Sequence, residues 1–78
     1  MIPVAYFDDQ PATLWTLVKD NLEMACLARL QPYGIEVDIT RDGALVVTRT
    51  FESGDEALSW SAQRKSERIS QGWQSVDA

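Results

Sequence analysis

The chain has 78 residues, twelve acidic and seven basic side chains, a formal net charge of −5 and no histidine. Apolar residues are 45% and charged residues 24% of it, the balance of one folded globular domain rather than of a disordered segment. A core this small rarely supplies more than about 3–5 kcal/mol, and with Cys26 as the one cysteine neither an internal disulfide nor a Cys/His zinc site can be drawn.

A further subunit is the support that remains, so a homodimer is expected. No apolar run is long enough for a bilayer-spanning helix. The opening Met-Ile-Pro-Val-Ala-Tyr-Phe-Asp-Asp lacks the basic region and small-residue cleavage site of an export signal. Together with an unpaired thiol, that points to a reducing, cytoplasmic setting. The acidic balance argues against nucleic acid as a partner, because phosphates are neutralised by Lys and Arg.

In chain order, residues 1–11 form an apolar arm closed by Asp8-Asp9-Gln10-Pro11, residues 12–73 a single domain, and residues 74–78 a short tail. Thr13–Leu30 reads two ways. Leu14, Leu17, Val18, Leu22 and Ala25 have helical spacing. Read instead as two strands turning at Asp20-Asn21, the stretch pairs Leu17 with Met24 and Trp15 with Cys26 on one apolar face. A turn at Gln31–Gly34 then sets Leu30, Ala28 and Cys26 beside Ile35, Val37 and Ile39, with Arg29 beside Glu36 on the other side. That shared register favours strands over the helix.

Ile35–Thr40 alternates apolar and polar residues. A three-residue loop at Arg41-Asp42-Gly43 would place Leu45, Val47 and Phe51 inward, with Val46, Thr48 and Thr50 outward. It would also turn Arg49 inward. Ser53-Gly54-Asp55-Glu56 is a capping box, and the helix it opens should run from Gly54 to about Gln71. Gly72 stops it, and Trp73 folds back on its last turn. The expected fold class is α+β: a four-stranded antiparallel meander followed by one C-terminal helix packed on one sheet face, ββββα.

Leu17-Val18-Lys19, Arg29, Asp42-Gly43, the stretch Phe51 to Ala57 and Gly72-Trp73 together resemble a loose group of small uncharacterised bacterial proteins. That resemblance implies a fold and no activity. In topology, four strands then a helix also resembles the Whirly-type and purine-rich-element-binding repeats, which implies a single-stranded nucleic-acid binder as the alternative function.

No catalytic, cofactor-binding or metal-binding set emerges, and no enzyme is expected. Cys26 has Leu and Met as alternate neighbours and no histidine to activate it, which marks a core residue. Glu36 and Asp38 share a strand face, where Arg29 opposite Glu36 gives a surface ion pair rather than a catalytic carboxylate pair. Asp8 and Asp9, adjacent in sequence, diverge. The basic residues Arg64, Lys65 and Arg68 suit the second half of a helix.

On a helical wheel Leu58, Ala62 and Ile69 form the inward stripe, leaving Trp60 outside with Arg64, Glu67 and Gln71. Trp and Arg are enriched in binding hot spots; the plainer reading is an indole covered by the N-terminal arm. The second sheet face carries Leu14, Val18, Ala25, Leu27 and Val46 and needs a cover of its own. The expected function is therefore a small protein-interaction module, a homodimer that binds a protein partner. An inhibitor that occludes another protein has the same form. The expected interface residues are Trp60, Arg64, Leu14, Val18, Ala25 and Leu27.

Overall fold

Alternation of apolar and polar side chains carries the chain through four antiparallel strands in a computed structural model that describes residues 11–76. Most of the apolar arm, with Asp8 and Asp9, lies outside the described residues. Strands β1 (Ala12–Lys19), β2 (Leu22–Gln31), β3 (Gly34–Arg41) and β4 (Ala44–Phe51) form a meander. Helix α1 (Gly54–Ser70) packs on one face, and a short strand β5 (Gln74–Ser75) pairs with β1, giving the order β4-β3-β2-β1-β5.

Thr13–Leu30 is two strands. Trp15 pairs with Cys26 and Leu17 with Met24, while Cys26, Ala28, Arg29 and Leu30 pair with Ile39, Val37, Glu36 and Ile35. Asp20 takes φ 57° in the tight turn between β1 and β2, a conformation that short polar side chains tolerate best among non-glycines.

The β3–β4 turn departs from expectation. Arg41 pairs with Ala44 and Thr40 with Leu45, so the loop is the two residues Asp42-Gly43. Their φ values of 52° and 85° are those of a type I′ turn, whose twist matches the flanking strands. Asp42 is fixed further by Glu23, whose N–H donates to Oδ1 at 3.0 Å and whose carbonyl accepts from the Asp42 N–H at 2.8 Å. The tighter turn puts Leu45 on the outer face, 60% exposed, instead of inward. Val46 is then an extra residue in a bulge, and Val47 returns to the inner face opposite Ile39.

The core holds Trp15, Leu17, Met24, Cys26, Val37 and Ile39 from the sheet, Ala57 from the helix, and Trp73 beyond it. Helix orientation differs from the wheel. Its buried positions are Ala57 and Ser61, while Leu58 is 56% and Ile69 45% exposed, with Ala62 also outside. Trp60 is half-buried against the core rather than on the outer face. The reason is steric. Trp15 and Phe51 rise from the sheet, so the helix approaches through its small residues, and the Trp15 indole N–H donates to the Ser61 carbonyl at 2.9 Å.

The helix start is as expected: the Ser53 side chain accepts from the Glu56 N–H at 3.2 Å and donates to the Glu56 carboxylate at 3.3 Å. At the other end, Gly72 at φ 102° lets Trp73 donate to the Arg68 carbonyl at 3.1 Å and Gly72 to that of Ile69 at 3.1 Å. Lys19 Nζ donates to the Gln71 carbonyl at 2.8 Å, a cation at the negative end of the helix dipole. Past Trp73 the chain does not trail away. Ser75 and Gln74 pair with Leu17 and Val18, and Val76 donates to the Thr16 carbonyl at 2.9 Å.

Candidate functional site

Two surfaces separate the expected interface residues. The first is the sheet face opposite the helix. Thr16, Val18, Ala25 and Leu27 are half-buried there. Cross-strand pairing sets Thr16 beside Ala25, Val18 beside Glu23, and Leu27 beside Asp38.

Toward β4 this face turns polar. Arg29 lies between two carboxylates, 3.6 Å from Glu36 and 3.8 Å from Asp38. The Thr48 hydroxyl donates to Asp38 at 2.6 Å and the Gln31 amide to Glu36 at 3.3 Å. Glu36 and Asp38 thus share Arg29 and the neighbouring Thr48 and Gln31 rather than being gathered for chemistry. Leu14 does not belong to it. Thr13 pairs with Leu27 and Trp15 with Cys26, which leaves Leu14 as a bulged residue that packs against the core.

The second surface lies where the helix passes over β4. Phe51 and Trp60 meet with ring centroids 5.7 Å apart and planes at 47°. The Arg49 guanidinium sits 5.7 Å from both rings, and Arg64 sits 5.5 Å from the Trp60 ring. Such contacts are worth about 0.5–1 kcal/mol each where exposed. Arg64 also pairs with Glu67 at 2.8 Å, and its Nε is buried with no hydrogen-bond partner. An orphaned N–H of that kind asks for an explanation, and cation–π contact supplies part of one.

Trp60 and Arg64 are therefore together, as expected, but on the sheet-facing side and joined by Arg49 and Phe51. The signal for Arg49 was in the sequence. Strand alternation turned it inward two residues before Phe51, an orientation that makes sense only if an aromatic surface receives it.

Cys26 is fully buried, and that burial, followed by the charge of Asp38, pushes its thiol up to about 12. It is a core side chain with almost no thiolate at neutral pH. Among the described residues no three His, Cys, Asp or Glu side chains gather into a metal-sized cluster, and no helix is long and apolar enough to cross a membrane. No family model, curated protein or solved structure matches the chain.

Proposed function

We propose that this chain is a protein-interaction module, not an enzyme, that assembles as a homodimer through the helix-free face of its sheet and works in a reducing, cytoplasmic setting. The observation that carries the reading is the row Val18, Ala25 and Leu27 on a face that no element covers among the described residues. A sheet with apolar residues on both sides needs a layer on each, and α1 supplies one. A second copy supplies the other with the same patch, since a twofold interface places like surface against like.

Energetics support it. Among the described residues eight buried apolar side chains form the core, and each further aliphatic side chain taken from water adds roughly 1.5–3 kcal/mol. The helix side, with Arg49, Trp60 and Arg64, stays open to a protein partner in this arrangement. The alternative, a single-stranded nucleic-acid binder, is favoured by the order of four strands then a helix. Its chemistry is opposed by Glu36 and Asp38, which already hold Arg29 on the helix-free face.

Sedimentation equilibrium at several concentrations tests the dimer, and a mobility-shift assay at low salt tests the alternative. A dimer at micromolar concentration with no shift of DNA or RNA is the expected result. A monomer at high micromolar concentration overturns the reading. Nucleic-acid binding that fades steeply with salt replaces it with the alternative.

A further inference from the structure

From β4 and the side chains around Trp60 we infer that the sheet edge left open among the described residues receives an extended acidic segment of another protein, added as a strand beside β4, with a carboxylate meeting Arg49. This surface is separate from the helix-free face, and the inference does not depend on the dimer.

The backbone gives the first reason. Among the described residues β4 is the terminal strand on its side of the sheet, eight residues long; on the other side the two-residue β5 pairs with β1 at Leu17 and Val18. A long terminal strand presents a row of unpaired N–H and C=O groups, and proteins usually guard it with Pro, Lys, other charges, bulges or brevity; the Val46 bulge interrupts β4 near its start, and residues 47–51 run on regularly beyond it. The β4 sequence ALVVTRTF has one charge and no proline. Leu45 and Val46 on it are 60% and 52% exposed. Strand addition satisfies such an edge with main-chain hydrogen bonds and draws specificity from alternate side chains.

Charge gives the second. Arg49 is the single charge of β4, and no carboxylate pairs with it among the described residues. It pairs across the sheet with Val37, a core position, so its side chain lies on the helix side. A guanidinium stacked on an indole spends its flat face there and keeps in-plane N–H groups for a carboxylate. Arg64 stacks on the same ring but is held by Glu67 at 2.8 Å, so Arg49 is the cation of this cluster left to meet a carboxylate, in a chain of net charge −5.

The opposite side of β4 sets the pattern of the partner. Thr48 pairs with Asp38 and Thr50 with Glu36, so that side is already acidic. Carboxylates of an added strand are attracted on the helix side and repelled on the other. The partner is a strand whose alternate residues are acidic and whose intervening residues are uncharged, Thr or Val in type.

The test is amide and indole NMR of the full chain titrated with a peptide of alternating Glu and Val, of the same length as β4. Shifts and slowed exchange confined to amides 44–51 and the Trp60 indole are expected. Arg49→Gln should weaken binding about tenfold, and Arg68→Gln, the same charge change at the far end of the helix, should not. Circular dichroism of Arg49→Gln establishes that it is folded; should it not fold, Arg49→Lys takes its place and must lose at least part of the affinity. Four results overturn the inference: no shift at millimolar peptide, equal weakening by Arg68→Gln, an alternating Lys and Val peptide binding as well, or acetate alone reproducing the shifts. Shifts of the β4 amides with protein concentration alone would overturn it too, by assigning the edge to a second copy.

Discussion

The indole N–H of Trp15 donates to the main-chain carbonyl of Ser61 across 46 positions of sequence. That bond decides which side of the helix meets the sheet. Ser61 is 3% exposed and Ala57 2%, so the helix is held at the distance that two small residues allow. Trp15→Phe removes the donor and part of the buried ring, and should cost about 2 kcal/mol in urea unfolding. Ser61→Ala keeps the carbonyl and should cost less than half as much. Ser61→Leu must push the helix off Trp15 and should cost as much as Trp15→Phe or more. Equal midpoints for all three would show that the helix is seated by something else.

Gly34 and Gly43 make a second, paired prediction. A Cβ on Gly34 would lie 2.3 Å from the Phe51 carbonyl oxygen, and φ there is 146°. A Cβ on Gly43 would meet nothing within 4 Å, at φ 85°. Gly43→Ala should therefore cost about 1 kcal/mol, the left-handed backbone penalty alone. Gly34→Ala should cost more than about 2 kcal/mol, because strain and a backbone clash add. The ranking is read from thermal midpoints, and the reverse order contradicts the close approach of β3 to the end of β4.

The N-cap is a local test. Ser53→Ala removes the acceptor for the Glu56 N–H and should lower stability by about 1 kcal/mol. Ser53→Asp keeps an acceptor and should restore most of that loss. An unchanged midpoint for Ser53→Ala means that the Glu56 N–H is satisfied equally well by water.

What was legible in the sequence followed from local chemistry. The strand registers came from apolar alternation checked by a charge pair, since a slip of one residue would have buried Arg29 and Glu36. The helix ends came from Ser53, Glu56 and Gly72. The helix face did not, because the wheel weighs Leu58 and Ile69 above Ala57 and Ser61 by hydrophobicity alone. The two large aromatics rising from the sheet, Trp15 and Phe51, reversed that order by leaving room only for small residues. The bulges at Leu14 and Val46 were hidden for a related reason: an extra residue leaves no mark in composition, yet it returned Leu14 to the core and let a two-residue turn keep Val47 inside. β5 was invisible because Gln74-Ser75 carries no strand signal and is placed by the Trp73 anchor.

Cys26 should be inert and should make the fold sensitive to alkali. Burial, and then the Asp38 charge, raise its thiol from 9.0 to about 12 in the folded chain. An acid whose folded pKa is raised stays neutral in the native state while the unfolded state ionises first. Its contribution to stability is complete below pH 9 and is lost progressively as pH rises from about 9 to about 12. Denaturation midpoints between those values should fall more steeply for the native chain than for Cys26→Ala, whose baseline stability is lower. Native Cys26 should also resist iodoacetamide at pH 8 and react only in urea. Rapid alkylation of the folded protein would contradict its burial.

The helix-free face makes a prediction whose sign separates the two functional readings. Glu23, Glu36 and Asp38 outnumber Arg29 on it, so two copies brought together by Val18, Ala25 and Leu27 repel through their charges while their apolar side chains attract. Raising salt shortens the reach of that repulsion to about 8 Å at physiological ionic strength and leaves the apolar term in place. Dimerisation should therefore strengthen with salt, whereas binding to a polyanion weakens with it. Leu27 is the most direct probe, since it stands mid-strand beside Asp38. A lysine there can pair with Asp38 in the monomer but carries a desolvation cost into the interface. Leu27→Lys should keep its helix signal and its unfolding cooperativity in circular dichroism, and should raise the dimer dissociation constant at least about tenfold. If the variant is folded and still sediments as a dimer, the copies do not meet on this face.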